Sequence, residues 1–203
     1  MESSHHKVEV FFDCSSPWTY LAYVRLQQLE EEAGYKFDWK PILVGGVFNA
    51  VNESVYQARA NPHPVKQRYY IKDLADWARF VGVRIGQPPV FPVRSVRAMR
   101  GAFYAKGQGR LHEYARALFE SYWGELRDIS QWEEIRRCAE LAGLSADALQ
   151  ADAESDAGKA ALQATTQDLI NRGGFGSPTI FIDGEDMFFG NDRIELIRAR
   201  LGL

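Results

Sequence analysis

The residues with the most chemistry to offer lie in Asp13-Cys14-Ser15-Ser16-Pro17-Trp18-Thr19, a run holding a carboxylate, a thiol and three hydroxyls. Serine is a preferred helix N-cap, and proline suits the first helical position because its missing N–H would have no partner there. Pro17 therefore makes Ser16, rather than Ser15, the residue at the helix start. A hydroxyl in that place either caps the helix and does nothing more, or also holds an anion at the positive end of the helix dipole. On this stretch alone both readings stand. The two cysteines, Cys14 and Cys138, are far apart, neither belongs to a Cys-x-x-Cys pair, and no Cys/His cluster has zinc spacing. His5, His6, His63 and His112 are scattered, and no metal site is expected from them.

The elements that must position Ser16 follow from periodicity. Val8, Val10 and Phe12 alternate with Lys7, Glu9 and Phe11, the pattern of a buried strand. Ala22, Leu26, Leu29 and Ala33 then recur at helical spacing and end near Gly34. Tyr35 to Val44 reads as a second strand, with Pro41 marking an edge, a strand end or a bulge. Two strands flanking one helix make a right-handed β-α-β unit the default. Gly45-Gly46 breaks the pattern, and Val47 to Asn61 reads as a long irregular or partly helical connection.

From Pro62 to about Ser177 almost everything is expected to be helical, including a helix capped by Ser130 with Glu133 closing a capping box. Cys138 falls on the apolar face of that helix, as a small core residue. Strand character returns at Thr179 to Ile182 and Met187 to Phe189, around the hairpin signal Asp183-Gly184. Asn191 and Asp192 then cap a last helix, with Glu195 completing a second capping box.

A chain of 203 residues suits one large domain or one domain with an insertion. A formal charge of −3 and the lack of any Lys/Arg run argue against a nucleic-acid partner. Met1 to His6 is too short and polar for a signal peptide, and no apolar stretch approaches membrane-spanning length, so a cytoplasmic protein with no membrane partner is expected. In that compartment a Cys14–Cys138 disulfide is not expected. The order β-α-β, helical block, β-β-α is that of an α/β thioredoxin-like fold with a large all-helical insertion. Residues 7–60 and 174–203 are assigned to the thioredoxin-like domain and 61–173 to the helical insertion. In such folds the first strand-to-helix junction carries the chemistry. A dithiol oxidoreductase would have Cys-x-x-Cys there, whereas this chain has Ser16-Pro17-Trp18-Thr19, with oxygen in both cysteine positions. Dithiol cycling is thus closed to it. What remains is to hold an anion such as the thiolate of a bound thiol, whose pKa a helix N-terminus and a hydroxyl donor would lower from about 9 toward neutrality.

Several segments carry a resemblance: Phe12-Asp13-x-x-Ser16-Pro17 with Tyr20-Leu21-Ala22, Phe91-Pro92-Val93 with Ala98-Met99-Arg100-Gly101-Ala102, Phe175-Gly176-Ser177-Pro178-Thr179, and Phe189-Gly190-Asn191-Asp192-Arg193. Taken in this order, over Lys7 to Leu201, the chain resembles the 2-hydroxychromene-2-carboxylate isomerases. These belong with the kappa-class glutathione transferases in the DsbA-like branch of thioredoxin folds. The resemblance implies glutathione as cofactor. It assigns Ser16 to the glutathione sulfur, with Pro17 and Trp18 lining the site. It also assigns Ser177 and a cis Pro178 to backbone pairing with the cysteinyl unit, and Asn191 and Asp192 to the γ-glutamyl end. Asn52 matches a further glutathione contact, with Asn49 as its competitor, because the family's Gly-Asn is here Val51-Asn52. Lys40, Lys66 and Arg68 are candidates for an anionic substrate, with surface charge as their ordinary role, and Tyr69, Tyr70 and Trp77 are expected to pack in the core or line an aromatic pocket.

Three functions follow. The first is a glutathione-dependent isomerase in aromatic catabolism, in which a thiolate adds reversibly to the conjugated acid, a bond rotates, and elimination returns the thiol. The second is a kappa-like transferase or peroxidase acting on small electrophiles. The third is a DsbA-like thiol-binding module without turnover. A homodimer with a small aromatic or electrophilic substrate is implied by the resemblance.

Overall fold

Every residue of Val8–Phe12 is buried, and this run forms the central strand β1 of a four-stranded sheet in the order β2-β1-β3-β4. The computed structural model describes residues 6–203, so that His5 and all but the last residue of the segment read for a leader lie outside the described residues. Strand β1 leads into α1 (Pro17–Ala33) and then β2 (Asp38–Pro41), which lies parallel to β1 with Val10 opposite Trp39. Helices α2 (Val44–Val51), α3 (Ser54–Ala60), α4 (Pro64–Val81), α5 (Val96–Gly107) and α6 (Leu111–Phe119) follow, then a π-helical turn at Glu120–Gly124. After α7 (Trp132–Leu141), α8 (Ala146–Glu154) and α9 (Asp156–Asn171), the chain returns to the sheet as β3 (Thr179–Ile182) and β4 (Asp186–Phe189). A 3-10 turn at Asn191–Arg193 and α10 (Ile194–Arg200) end it. Strand β3 runs antiparallel to β1 with Ile180 opposite Val10, and β4 antiparallel to β3. This is the thioredoxin-like order, with a large helical insertion between β2 and β3.

The pleat sends alternate residues to opposite faces. Val8, Val10 and Phe12 join Trp39, Ile180 and Ile182 on the face covered by α1 and the inserted helices, where one core cluster runs from the sheet through to α8. Phe11 and Phe181 face the other way, into a smaller cluster with Ile42, Val47 and Leu169, covered by α2 and α9. Pro41 is the last residue of an edge strand, where its missing N–H costs no ladder bond.

Several local expectations are corrected. The connection over Val47 to Asn61, expected to be irregular or partly helical, is almost wholly helical as α2 and α3, and the second strand ends at Pro41 rather than running on to Val44. Both glycines lie inside α2, and Gly46 faces α9, where a Cβ would meet Thr166 at 3.4 Å, while the space beside Gly45 is open. Ser130 does not cap α7. Gln131 precedes the helix without a side-chain cap bond, and the Ser130 N–H is taken by Asp128 Oδ1 at 2.9 Å. Nor do Asn191 and Asp192 cap a helix by their side chains; they form the 3-10 turn that leads into α10, and Glu195 pairs instead with Arg25 at 2.9 Å.

Glu9 shares the Phe11 face and is almost fully buried, so it must be paired. Lys40 Nζ approaches its carboxylate at 2.6 Å and Arg172 at 2.9 Å, while the Arg172 guanidinium carbon lies 3.8 Å from the Phe181 ring centroid. Burial raises the Glu9 pKa, but the hydrogen bonds from Lys40 and Arg172 outweigh it and bring the group down to about 2. A carboxyl depressed on folding contributes stability that is present above its ordinary value of 4.5 and is lost as pH falls through about 2. That linkage is worth about 3 kcal/mol at neutral pH. Glu9→Gln is therefore expected to cost about 3 kcal/mol in denaturant melts at pH 7, with the gap to wild type narrowing below pH 4.5. A gap of the same size at acid pH would show that shape, not charge, is at work.

Candidate active site

Asp13 ends the β1 run and has no exposed surface. Its carboxylate accepts from the Ser15 N–H at 2.9 Å, the Val44 N–H in the first turn of α2 at 2.9 Å, and the Ser95 hydroxyl before α5 at 3.0 Å. Burial raises its pKa, with these donors opposing. Its own N–H donates to Ser177 Oγ at 3.0 Å. One residue thus fixes the β1–α1 turn against two helices and the loop before β3.

Ser16 is extended (φ −103°, ψ 124°) and caps α1, its Oγ accepting from the Thr19 N–H at 3.2 Å. The same hydroxyl donates to the Ser177 carbonyl at 3.3 Å. Pro17 is buried as the first helical residue. Thr19, in the second cysteine position, is buried with Oγ1 2.8 Å from Ser177 Oγ, so it clamps α1 to the same loop. Cys14 is no substitute nucleophile. It is fully buried, which with the Asp13 charge raises its thiol pKa well above the ordinary value, and its carbonyl accepts from the Trp123 indole N–H at 3.0 Å.

The Ser177–Pro178 peptide is cis, as is Phe91–Pro92. The Pro178 carbonyl accepts from Gly190 N–H at 3.2 Å, which brings Asn191 and Asp192 alongside the cis-proline loop. Only glycine suits position 190: φ is 104° and ψ 160°, and a Cβ there would lie 2.7 Å from Asp192 Oδ1. Asn191 is buried, and its Oδ1 has no hydrogen-bond partner among the described residues. Asp192 is half-exposed, with Arg193 at 3.2 Å. On the other flank Asn52 Nδ2 donates to the Phe175 carbonyl at 3.1 Å, whereas Asn49 Oδ1 accepts from the Tyr56 hydroxyl at 2.8 Å. Of these two asparagines, Asn52 is the one joined to the loop that carries Ser177.

Ser16 is thus bonded directly to Ser177, and the loop that carries Ser177 and Pro178 is joined to Asn52 through Phe175 and to the turn of Asn191 and Asp192 through Gly190. Trp18 lies to the side, edge-on to Tyr70 of α4 with ring centroids 5.6 Å apart. Tyr69 is no core residue, being 64% exposed, and Trp77 lies under the Arg25 guanidinium at 5.1 Å. Lys40 is spent on Glu9. Asp13 and Thr19 were not among the site residues expected from sequence, because their partners are remote in the chain; the hydroxyl three residues after Ser16 was the one visible signal of the clamp.

Residues 7–202 match the family model of the DSBA-like thioredoxin domain. The chain belongs to this family, in the branch that holds the 2-hydroxychromene-2-carboxylate isomerases and the kappa-class glutathione transferases. The 2-hydroxychromene-2-carboxylate isomerase of Sphingobium xenophagum is 30% identical over 200 residues, covering 96% of this chain and 97% of that protein. Glutathione S-transferase kappa 1 of Rattus norvegicus is 29% identical over 209 residues, covering 96% and 90%. A solved 2-hydroxychromene-2-carboxylate isomerase superposes with a TM-score of 0.80 at 27% identity, covering 96% of this chain and 94% of its own. Among the described residues no helix is long and apolar enough to cross a membrane, and no group of three or more His, Cys, Asp or Glu is placed to hold a metal ion.

Two substitutions measure how firmly the neighbourhood is tied. Thr19→Val keeps the shape and removes the hydroxyl, with an expected loss of about 1 kcal/mol. Ser16→Ala removes the cap of α1 and is expected to cost about 1 kcal/mol as well. Urea titration reads both, and an unchanged midpoint for Thr19→Val would show that its bond to Ser177 contributes nothing.

Proposed function

We propose that the protein is a glutathione-dependent isomerase of the 2-hydroxychromene-2-carboxylate type. The observation that carries the reading is the Ser16 hydroxyl, held at the N-terminus of a 17-residue helix and bonded to the carbonyl that precedes cis Pro178. When bound, glutathione supplies a nucleophilic sulfur that adds to the conjugated acid, allows a bond to rotate, and leaves unchanged. The chain's own residues do the rest. Ser16 would turn its proton from the Ser177 carbonyl toward the sulfur, and together with the helix dipole would favour the thiolate. The freed Ser177 carbonyl could then accept from a peptide N–H of the tripeptide, in the manner of an added strand. Pro17 and Trp18 would line the sulfur end, and Asn52, whose Oδ1 accepts from the Ser54 hydroxyl at 3.0 Å, would hold the Phe175–Ser177 segment. The unpartnered Oδ1 of Asn191 and the half-exposed carboxylate of Asp192 suit an ammonium group, which is what the γ-glutamyl end offers.

The match to kappa-class transferases supports a second reading, in which the same thiolate attacks a small electrophile and stays attached. Free, buried Cys14 and Cys138 agree with a reducing cytosol, where glutathione is abundant. A homodimer is part of the same reading, and the exposed apolar side chains Val65, Tyr69 and Phe80 of α4 are what a second copy would cover.

The test has two arms. On adding glutathione, wild type should develop thiolate absorbance near neutral pH, and Ser16→Ala should lose it, with kcat/KM lower by about a hundredfold. Product analysis then separates the activities. Isomerised product with glutathione unconsumed supports the isomerase, whereas a stable conjugate favours the transferase. Thiolate absorbance that survives in Ser16→Ala would overturn the role given to Ser16.

A further inference from the structure

We infer that Arg59 receives the carboxylate of the substrate and so selects aromatic acids over neutral aromatic compounds; this rests on the isomerase reading for the identity of the substrate, though not for its test. Two aromatic walls flank the Asp13–Pro17 turn. Phe48 of α2 borders the cis-proline loop, where its ring edge would lie 3.7 Å from a Cβ placed on Gly176. Phe91 stands on the other side, with its ring centroid 6.1 Å from that of Trp123, whose indole holds the Cys14 carbonyl. The Arg59 guanidinium carbon spans the two, at 5.4 Å from the Phe48 centroid and 5.4 Å from the Phe91 centroid. Its positive charge also reaches Tyr70, the ring packed against Trp18 one residue into the catalytic helix.

What distinguishes Arg59 is an uncommitted charge placed between two rings. Among the described residues no carboxylate lies within 4.0 Å of it, whereas Lys40, the cation nearest the sheet, is held by Glu9 at 2.6 Å and by Asp168 at 3.5 Å. Lys66 and Arg68 lie on the wholly exposed first turns of α4, and among the described residues neither has a ring or carboxylate contact. A guanidinium between two rings is held in its plane by them, and its donor edge is left for a planar oxyanion. A flat acid entering between the walls would stack on Phe48 or Phe91 and present its carboxylate to that edge, a bidentate pairing that lysine cannot reproduce.

Arg59 is exposed and, among the described residues, has ring contacts but no ion pair, so substitution there should leave the fold intact. The test uses the glutathione-loaded protein and two probes of one shape, naphthoate and the neutral naphthamide, with binding followed by fluorescence. Wild type should bind the acid about tenfold more tightly than the amide. Arg59→Met should abolish that preference, Arg59→Lys should restore part of it, and glutathione affinity should be the same in all three. In turnover of 2-hydroxychromene-2-carboxylate, Arg59→Met should raise KM by a similar factor with kcat changed less. An acid preference that depends on Arg59 in a protein that does not isomerise this compound would keep the assignment and remove the isomerase reading. The assignment is overturned if wild type shows no acid preference, if Arg59→Met retains it, or if Arg59→Met weakens glutathione instead, which would make Arg59 a cofactor contact.

Discussion

The site depends on one buried carboxylate. Taking the Asp13 charge out of water is expensive, and it is tolerated because three donors converge on it from three separate places: the turn itself, the first turn of α2, and the residue before α5. Those bonds position more than they stabilise. Because both oxygens are engaged, the turn cannot shift relative to α2 or α5 without exposing an unsatisfied acid, and Ser16, three residues on, inherits that fixity. Glu9 on the same strand solves the opposite problem. It is surrounded by cations, so pairing outweighs burial and its pKa falls, whereas Asp13 has neutral donors only and burial prevails. One acid holds the sheet to α9 and the other holds the sheet to the site.

Replacing both cysteines of a dithiol motif by oxygen does more than remove redox chemistry. A cysteine in the position of Thr19 would have a sulfur where the structure needs a short hydroxyl–hydroxyl contact with Ser177 Oγ. Ser177 is thereby committed on three sides, by the Asp13 N–H, by Thr19, and through its carbonyl by Ser16. Only the last of these bonds can be given up without burying an unpaired group, since the Ser16 hydroxyl can rotate. The loop is therefore rigid in its side chain and adaptable in its backbone carbonyl, the property needed where a peptide-like ligand must pair with main chain.

Much of this was legible in the sequence where the signal is local. Alternation marked β1, Ser16-Pro17 fixed the start of α1, and Pro41 marked the end of an edge strand. What was not legible depends on partners far along the chain. Asp13 carries no local sign of its partners, because Val44 and Ser95 lie 31 and 82 residues away from it. Gly45-Gly46 ends the strand pattern, yet both lie inside α2, where Gly46 sits against Thr166 of α9, a contact no pattern within the segment reveals. Asn191-Asp192 followed by Glu195 has the spacing of a capping box, yet Arg25 of α1 takes both the Asn191 carbonyl and the Glu195 carboxylate, so tertiary pairing overrides the local motif.

The two halves of the site differ in how they are held, and this bears on how one family can serve isomerases and transferases. The floor, from Asp13 to Thr19 with Ser177 and Pro178, is built of buried or half-buried groups bonded to one another, so a substitution there leaves a polar group unpaired. What it can offer a ligand is the Ser16 hydroxyl, the Ser177 carbonyl to which that hydroxyl donates, and the N-terminal end of α1. The rim, by contrast, is loosely built: Phe48 belongs to α2, Phe91 to the connection before α5, and Arg59 to α3, and from α3 into the start of α4 almost every residue is exposed. Changes there cost little stability. A cation between Phe48 and Phe91 can appear or vanish without disturbing the bonds that join Ser16, Thr19 and Ser177, so the rim can change while the floor does not.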